Sequence, residues 1–99
     1  MNEVLPIGSI IYLKEGQQKV MNLSRGCQLQ QDNEVVFFGY SGAAYPVGLN
    51  PEQILYFNHE DIDKVVFHGY TDLDEERFVE LYKKWFEENK ANLKIGKTH

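Results

Sequence analysis

The stretch Glu34-Val35-Val36-Phe37-Phe38-Gly39-Tyr40 decides the fold. Its β-branched and aromatic residues make it the strongest β-strand signal in the 99-residue chain. Because side chains alternate along a strand, the odd-numbered residues lie on one face and the even-numbered residues on the other, and both faces are apolar. We therefore expect cover on both sides, from the far wall of a curled sheet and from a helix.

Four shorter strand signals surround this stretch. They are Ile10–Leu13, Val20–Leu23, Gln53–Phe57 and Lys64–Tyr70. A glycine-containing turn at residues 15–18 separates the first two, which predicts a hairpin. Arg25-Gly26 is expected to break or bulge the second strand, and Gln31-Asp32-Asn33 to form the next turn. Val35–Tyr40 and Val65–Tyr70 differ at one of six residues, which we interpret as an ancient duplication or as two core strands that each end in a glycine bulge.

From Thr71 the pattern changes from strand to helix. Thr71 is expected to cap the helix, because four of the next five residues are carboxylates that favour its positive end. Apolar residues then recur at three- and four-residue steps, namely Phe78, Val79, Leu81, Tyr82, Trp85 and Phe86. We predict that the helix runs to about Asn89 and that residues 90–99 form a frayed tail.

These signals predict an α+β fold in which residues 1–89 form one domain. A mass of 11.5 kDa is typical of a single domain. The predicted architecture is a twisted antiparallel five-stranded sheet with one C-terminal helix. An SH3-like half-barrel is the nearest named architecture, and a flatter α+β sheet is the alternative.

The composition argues against several classes of function. The net charge is −5 and the isoelectric point is about 5.1, unlike proteins that bind nucleic acid or anionic membranes through Lys and Arg. No apolar run reaches the ~20 residues that span a bilayer, and the first residues do not resemble a Sec-type signal peptide. We expect a cytoplasmic protein with no nucleic-acid partner and no membrane partner.

The densest group of polar residues is His59–Asp63, with His68 nearby in sequence. One interpretation is a metal or acid–base site, but the spacing matches neither an HExxH motif nor an EF-hand loop. Asn58 followed by acidic residues is typical of a capped helical turn, which is the structure we predict. We expect no catalytic, cofactor or metal site. The alternative is a small ligand-binding barrel or enzyme with its site around His59, Asp61 and His68.

An uncharged stretch, from Tyr40 to Leu49, follows the central strand. Loops normally carry polar residues, so its tyrosines and aliphatic residues indicate a surface that recognises a protein partner; the alternative is a lid over the open end of the barrel. Adjacent aromatic residues on the helix are either core or a second partner surface, because one flat sheet does not fully bury both. The candidate partner-binding residues are Tyr40, Tyr45, Pro46, Val47, Leu49, Trp85 and Phe86.

Three motifs resemble a small bacterial family. They are LPIGSIIYLK at Leu5–Lys14, the paired segments Gly39–Gly42 and Tyr45–Gly48, and FNHEDIDKVVFHGY at Phe57–Tyr70. The family is a domain of unknown function in Gram-positive bacteria, with members encoded near type VII secretion genes and LXG-domain toxins. The resemblance implies a non-enzymatic cytoplasmic accessory protein, a chaperone or adaptor whose partner is an LXG-type toxin or one of its accessory proteins. The family supplies no catalytic residues.

Overall fold

The computed structural model describes residues 3–97. Five strands and one long helix follow each other as β1 (Ile10–Leu13), β2 (Lys19–Gln31), β3 (Glu34–Ala44), β4 (Leu55–Phe57), β5 (Ile62–Phe67) and α1 (Leu73–Asn89), with short 3₁₀ turns at His59–Asp61 and Lys90–Asn92. All four strand pairs are antiparallel. The predicted α+β class, with a five-stranded antiparallel sheet and one C-terminal helix, is confirmed.

The sheet is strongly curved but open. Its strand order is β4-β3-β2-β1-β5, so β4 and β5 lie at opposite edges. Only residues 58–61 separate these two edge strands in the chain. Five flat strands would place the two edges about 19 Å apart. Residues 58–61 would span about this distance only if they were fully extended, and they contain a helical turn. The sheet must therefore curl, although no ladder joins β4 to β5 within residues 3–97, and a closed barrel is not formed.

A long hairpin of β2 and β3 forms the centre of the sheet. Its turn lies where the sequence predicts it, with Asp32 and Asn33 at φ 51° and 66°, as in the turns that suit tight hairpins. The strand is not broken at Gly26, which adopts a φ of 68° within β2. The pairing register instead shifts by one residue between Asn22 and Ser24. The bulge therefore lies before the predicted Arg25-Gly26 position, and β2 continues in regular register through Gly26.

The central strand β3 extends further than the sequence indicates. Residues 41–44, which we predicted to begin a loop, continue the strand and are buried or half-buried. Small side chains are needed here, because a Cβ at Gly42 would lie 2.6 Å from Val20 Cγ1 and 2.9 Å from the Met21 carbonyl oxygen. The small residues therefore permit close packing inside the sheet, and they do not mark a turn.

The last strand, β5, is shorter and more exposed than predicted. It spans Ile62–Phe67, whereas the predicted strand ran from Lys64 to Tyr70. The side chains of Val65, Val66 and Phe67 are all exposed. The interpretation of this segment as a second core strand is therefore wrong, because β5 has a neighbour on one side only.

The helix α1 is fixed to the sheet by an ion pair at its first turn. The Arg25 guanidinium donates two hydrogen bonds of 2.7 Å to the Glu75 carboxylate and one of 3.1 Å to the Leu5 carbonyl oxygen. The N-cap is Asp72, whose side chain accepts from the Glu75 N–H, and not Thr71 as predicted. Within residues 3–97 no helix has the length and apolar character needed to cross a bilayer.

The core lies between the concave sheet and α1. It contains Val4, Leu5, Ile11, Val20, Phe37, Tyr40, Phe57 and Tyr82. The ring of Phe37 contacts aromatic side chains of α1. The ring of Phe38 lies against Tyr56, and a Cβ at Gly96 would collide with it at 2.3 Å. Both faces of the central strand are therefore covered, as predicted, although Tyr40 joins the cluster of Phe37 and departs from strict alternation.

The C-terminal segment is docked on the sheet. The Phe37 N–H donates to the Lys94 carbonyl oxygen at 2.7 Å, and the Gly96 N–H donates to the Phe37 carbonyl oxygen at 2.8 Å. The prediction of a frayed tail is therefore wrong for residues 90–97, and residues 98 and 99 lie outside the described residues. The short strand β4 pairs with only the last part of β3, which leaves the rest of that edge open for the tail.

Candidate functional site

The predicted partner-binding residues of the loop have different environments. Tyr40 is buried, with 3% of its surface exposed, and its ring stacks on Phe57 at 5.3 Å between centroids. Tyr45 and Val47 are 44% and 80% exposed. Pro46 and Leu49 are also exposed. The structure therefore places Tyr40 in the core and the other four residues at the surface.

The aromatic pair on the helix is also divided. Trp85 is 38% exposed, and its ring lies between Phe37 and Tyr82 at centroid distances of 6.0 and 6.4 Å. Phe86 is half-buried, with its ring 5.6 Å from Phe37. Trp85 thus lies at the edge of the helix–sheet contact, and Phe86 packs further inside it.

The loop after β3 is held against the start of β2. The Tyr45 N–H donates to the Lys19 carbonyl oxygen at 2.8 Å, and the Gln18 side-chain amide donates to the Tyr45 carbonyl oxygen. The Gly48 N–H closes the loop on the Ala44 carbonyl oxygen. The Lys19 ammonium lies 6.0 Å from the centre of the Tyr45 ring. The exposed Tyr45 is therefore held in a defined position.

An exposed apolar surface connects this loop to β5. Ile10 is paired with Met21 on one side and with Phe67 on the other. Opposing residues of antiparallel strands share a face, so these three side chains form a row across the sheet. Tyr45 and Val66 line the same surface depression. We call these five residues (Ile10, Met21, Tyr45, Val66 and Phe67) the outer sheet patch; the last three are exposed, whereas Met21 is half-buried and Ile10 is buried.

A pocket of about 300 Å³ lies on the helix side of the molecule. We call it the aromatic pocket. It is lined by Phe37, Gly39, Tyr40, Asn58, His59, Glu60, Tyr82, Phe86 and Ile95. These residues come from β3, the turn after β4, α1 and the docked tail. The sequence signals did not predict this pocket, because it depends on the tail packing against the sheet.

Two buried phenols line the aromatic pocket. Burial raises the pKa of Tyr82 to about 12. Burial also raises the pKa of Tyr40, although a hydrogen bond from the Leu5 N–H opposes that increase. Both phenols therefore remain protonated at neutral pH. The Tyr82 hydroxyl is buried and has no hydrogen-bond partner within residues 3–97, an arrangement that is costly unless something else satisfies it.

Asn58 ties the turn after β4 to two other parts of the fold. Its side-chain oxygen accepts from the Gly39 N–H at 3.0 Å, and its side-chain amide donates to the Gly96 carbonyl oxygen at 2.9 Å. Its backbone N–H donates to the Asp61 carboxylate at 2.9 Å, which confirms the predicted capped turn. Sequence reasoning identified Asn58 as a cap but missed its contacts with β3 and the tail.

His59, Asp61 and His68 are not brought together as one site. His59 Nδ1 lies 3.1 Å from the Tyr40 hydroxyl. The Asp61 carboxylate caps the turn, and His68 Nε2 lies 3.4 Å from the Glu3 carboxylate. Within residues 3–97 no three His, Cys, Asp or Glu side chains are placed to hold a metal ion. Of the three residues, only His59 lines the aromatic pocket.

A known family model matches most of the chain. The model of DUF4176, a domain of unknown function, matches residues 4–78. This range covers the whole sheet and the first turn and a half of α1. No curated protein and no solved structure matches the chain. Because the match extends over about three quarters of the sequence, the chain belongs to the DUF4176 family.

Proposed function

We propose that this protein is a non-enzymatic accessory protein that binds a protein partner through the outer sheet patch. The observation that supports this most strongly is the convergence of Tyr45 with Val66 and Phe67, which are exposed and about 20 residues apart in sequence. Contiguous exposed apolar surface on a small soluble domain is typical of an interaction site.

The hydrogen-bonded loop supports an anchoring role for Tyr45. Its backbone N–H and carbonyl are both bonded to the start of β2, so less conformational entropy is lost when a partner covers the ring. Aromatic side chains that are positioned in advance are frequent among the residues that contribute most to binding.

The charge around the patch favours an acidic partner. In the adjoining cross-strand row, Tyr12 is paired with Lys19 and with Lys64. Two lysines therefore lie beside the apolar patch, although the protein as a whole carries a net charge of −5. A partner segment with apolar and acidic side chains complements this surface.

The family resemblance suggests what the partner is. We propose that it is an LXG-type toxin of a type VII secretion system, or one of its accessory proteins, and that this protein acts in the cytoplasm as its chaperone or adaptor. The alternative, a ligand-binding or catalytic site formed by His59, Asp61 and His68, has weaker support because each side chain is engaged with a different group.

The test is a calorimetric titration with the N-terminal domain of an LXG-type toxin. We expect Phe67→Ala to weaken binding about tenfold, because it removes the largest exposed ring of the patch. The matched control is Leu81→Ala, which removes an exposed apolar side chain of α1 and should leave the affinity unchanged. Equal affinity of wild type and Phe67→Ala would remove the outer sheet patch from the interface.

A further inference from the structure

We infer that the aromatic pocket binds a small organic cation, that is, an ammonium or guanidinium group attached to an apolar body. This site is separate from the proposed protein interface. The aromatic pocket and the outer sheet patch share no residue, so the two proposals fail or succeed independently.

The walls of the pocket favour a cationic ligand with an apolar body. Four of its lining residues are aromatic, namely Phe37, Tyr40, Tyr82 and Phe86, and Ile95 adds an aliphatic surface. Aromatic rings attract cations through their quadrupoles and bury apolar groups at the same time. The volume of about 300 Å³ is at the lower end of the range for small-molecule sites, which limits the ligand to roughly one ring or a short chain.

The charged carboxylate that lines the pocket gives it a negative rim. Glu60 is exposed at the rim, and none of the lining residues that the structure describes is Lys or Arg. The charge of Arg25 acts on both phenols, but its guanidinium is paired with Glu75 at 2.7 Å. An anionic ligand would therefore meet an unfavourable charge, and a cation a favourable one.

The buried phenols supply a further specific feature. The Tyr40 hydroxyl accepts the Leu5 N–H at 3.1 Å, so its own proton is available to His59 Nδ1, also at 3.1 Å. The Tyr82 hydroxyl is buried and has no hydrogen-bond partner within residues 3–97. Because this oxygen is inaccessible, Tyr82 contacts a ligand through its ring.

Gly39 leaves room in the pocket wall. A Cβ built at this residue would have Asn58 Cα as its nearest neighbour, at 3.9 Å, which is ordinary contact. A larger side chain at Gly39 can therefore fill part of the pocket without disturbing the backbone. This residue offers a direct way to block the site while the fold is retained.

The ligand can come from two sources, a free amine or the side chain of a lysine or arginine on another molecule. The probe for the first is phenethylammonium, and the probe for the second is N-acetyl-arginine amide. Two analogues of the first probe isolate the charge: 2-phenylethanol has the same shape without charge, and phenylacetate has the opposite charge. Amide NMR titrations follow the backbone signals of Gly39, His59 and Gly96, which surround the pocket.

We expect saturable shifts with at least one of the two cations at concentrations up to about 10 mM. The alcohol should bind about fivefold more weakly than phenethylammonium, and phenylacetate should not bind. The cation with the lower Kd identifies the source. No saturable shift with either cation, or saturable binding of phenylacetate, would overturn the inference.

Two variants test where the cation binds. Glu60→Gln should weaken binding about fivefold, whereas the control Glu52→Gln, at another exposed carboxylate, should have no effect. Gly39→Val should abolish binding with little change in melting temperature. If Gly39→Val unfolds the protein, the comparison of Glu60→Gln with Glu52→Gln remains as the test of where the cation binds. Equal affinity of these two variants would show that the pocket is not the site.

Discussion

Two segments of this protein have nearly the same sequence and opposite environments. Val35–Tyr40 and Val65–Tyr70 differ only at Phe38 and His68. In the first segment Phe37 is 2% exposed, whereas the equivalent Phe67 of the second is 59% exposed. The first lies in the centre of the sheet and the second at its edge. The shared residues begin as a strand in both places, although the second strand ends at Phe67. The position in the sheet decides whether the side chains are buried.

The neighbours of each segment explain the difference. The strand β3 has β2 on one side and both β4 and the docked tail on the other. The strand β5 pairs only with β1, with register shifts in that pairing. Irregular pairing at an exposed edge is a common way to prevent unwanted association between sheets. The apolar side chains of β5 are therefore available to a partner, while its backbone edge is a poor template for another strand.

The largest contrast is expected for the two phenylalanines. Phe37→Ala should lower the free energy of unfolding by about 3–5 kcal/mol, because it leaves a cavity between the sheet and α1. Phe67→Ala should lower it by less than about 1 kcal/mol, because that ring is largely exposed. Denaturant melts of both variants provide the measurement. Equal losses would mean that β5 contributes to the core as much as β3 does.

The same difference between local sequence and position in the sheet explains how much of this fold the sequence predicts. Strand-forming residues, turn residues and the helical period depend on local sequence, so five strands and one helix were predictable. Strand order and the docking of the tail depend on contacts between distant residues, such as Phe37 with Lys94. No periodic pattern in the sequence encodes them.

The candidate sites show a similar division. The uncharged composition singled out Tyr45, Val47 and Leu49, which are exposed, but it gave no sign that Phe67 and Tyr45 line the same depression. The aromatic pocket could not be predicted from the sequence either, because β3, the turn after β4, α1 and the tail form it together. Trp85 falls between the two predicted extremes of core and surface, since its ring packs on Phe37 while 38% of it remains exposed.

A smaller contrast is expected for the two glycines within the shared segments. A Cβ at Gly69 would lie 2.5 Å from the Ile7 carbonyl oxygen, whereas a Cβ at Gly39 meets nothing closer than 3.9 Å. Gly69→Ala should therefore destabilise the protein by about 2–3 kcal/mol through overpacking against the backbone. Gly39→Ala should change stability by less than about 0.5 kcal/mol. Thermal melts that rank the two variants in the opposite order would contradict the close approach at Gly69.

The smallest contrast concerns the two tyrosines that end the segments. Tyr40→Phe should cost about 1–2 kcal/mol at neutral pH, because the buried Leu5 N–H loses its acceptor and His59 loses its hydrogen bond. Tyr70→Phe is the matched control, since Tyr70 is 79% exposed. Denaturant melts of the two variants should differ by this amount, and equal stability would show that the Tyr40 hydroxyl contributes nothing net to the fold.

Alkaline pH should reduce the effect of Tyr40→Phe. Burial raises the pKa of Tyr40 above its ordinary value near 10, so the unfolded chain loses this proton at a lower pH than the folded protein does. The stabilisation from the protonated phenol is therefore complete below about pH 10 and is lost as the pH rises through the pKa of the folded state. The difference between wild type and Tyr40→Phe should shrink in melts above pH 10, while the difference for Tyr70→Phe stays near zero. A difference for Tyr40→Phe that grows with pH would mean that the folded protein stabilises the ionised phenolate, which burial in an apolar core does not do.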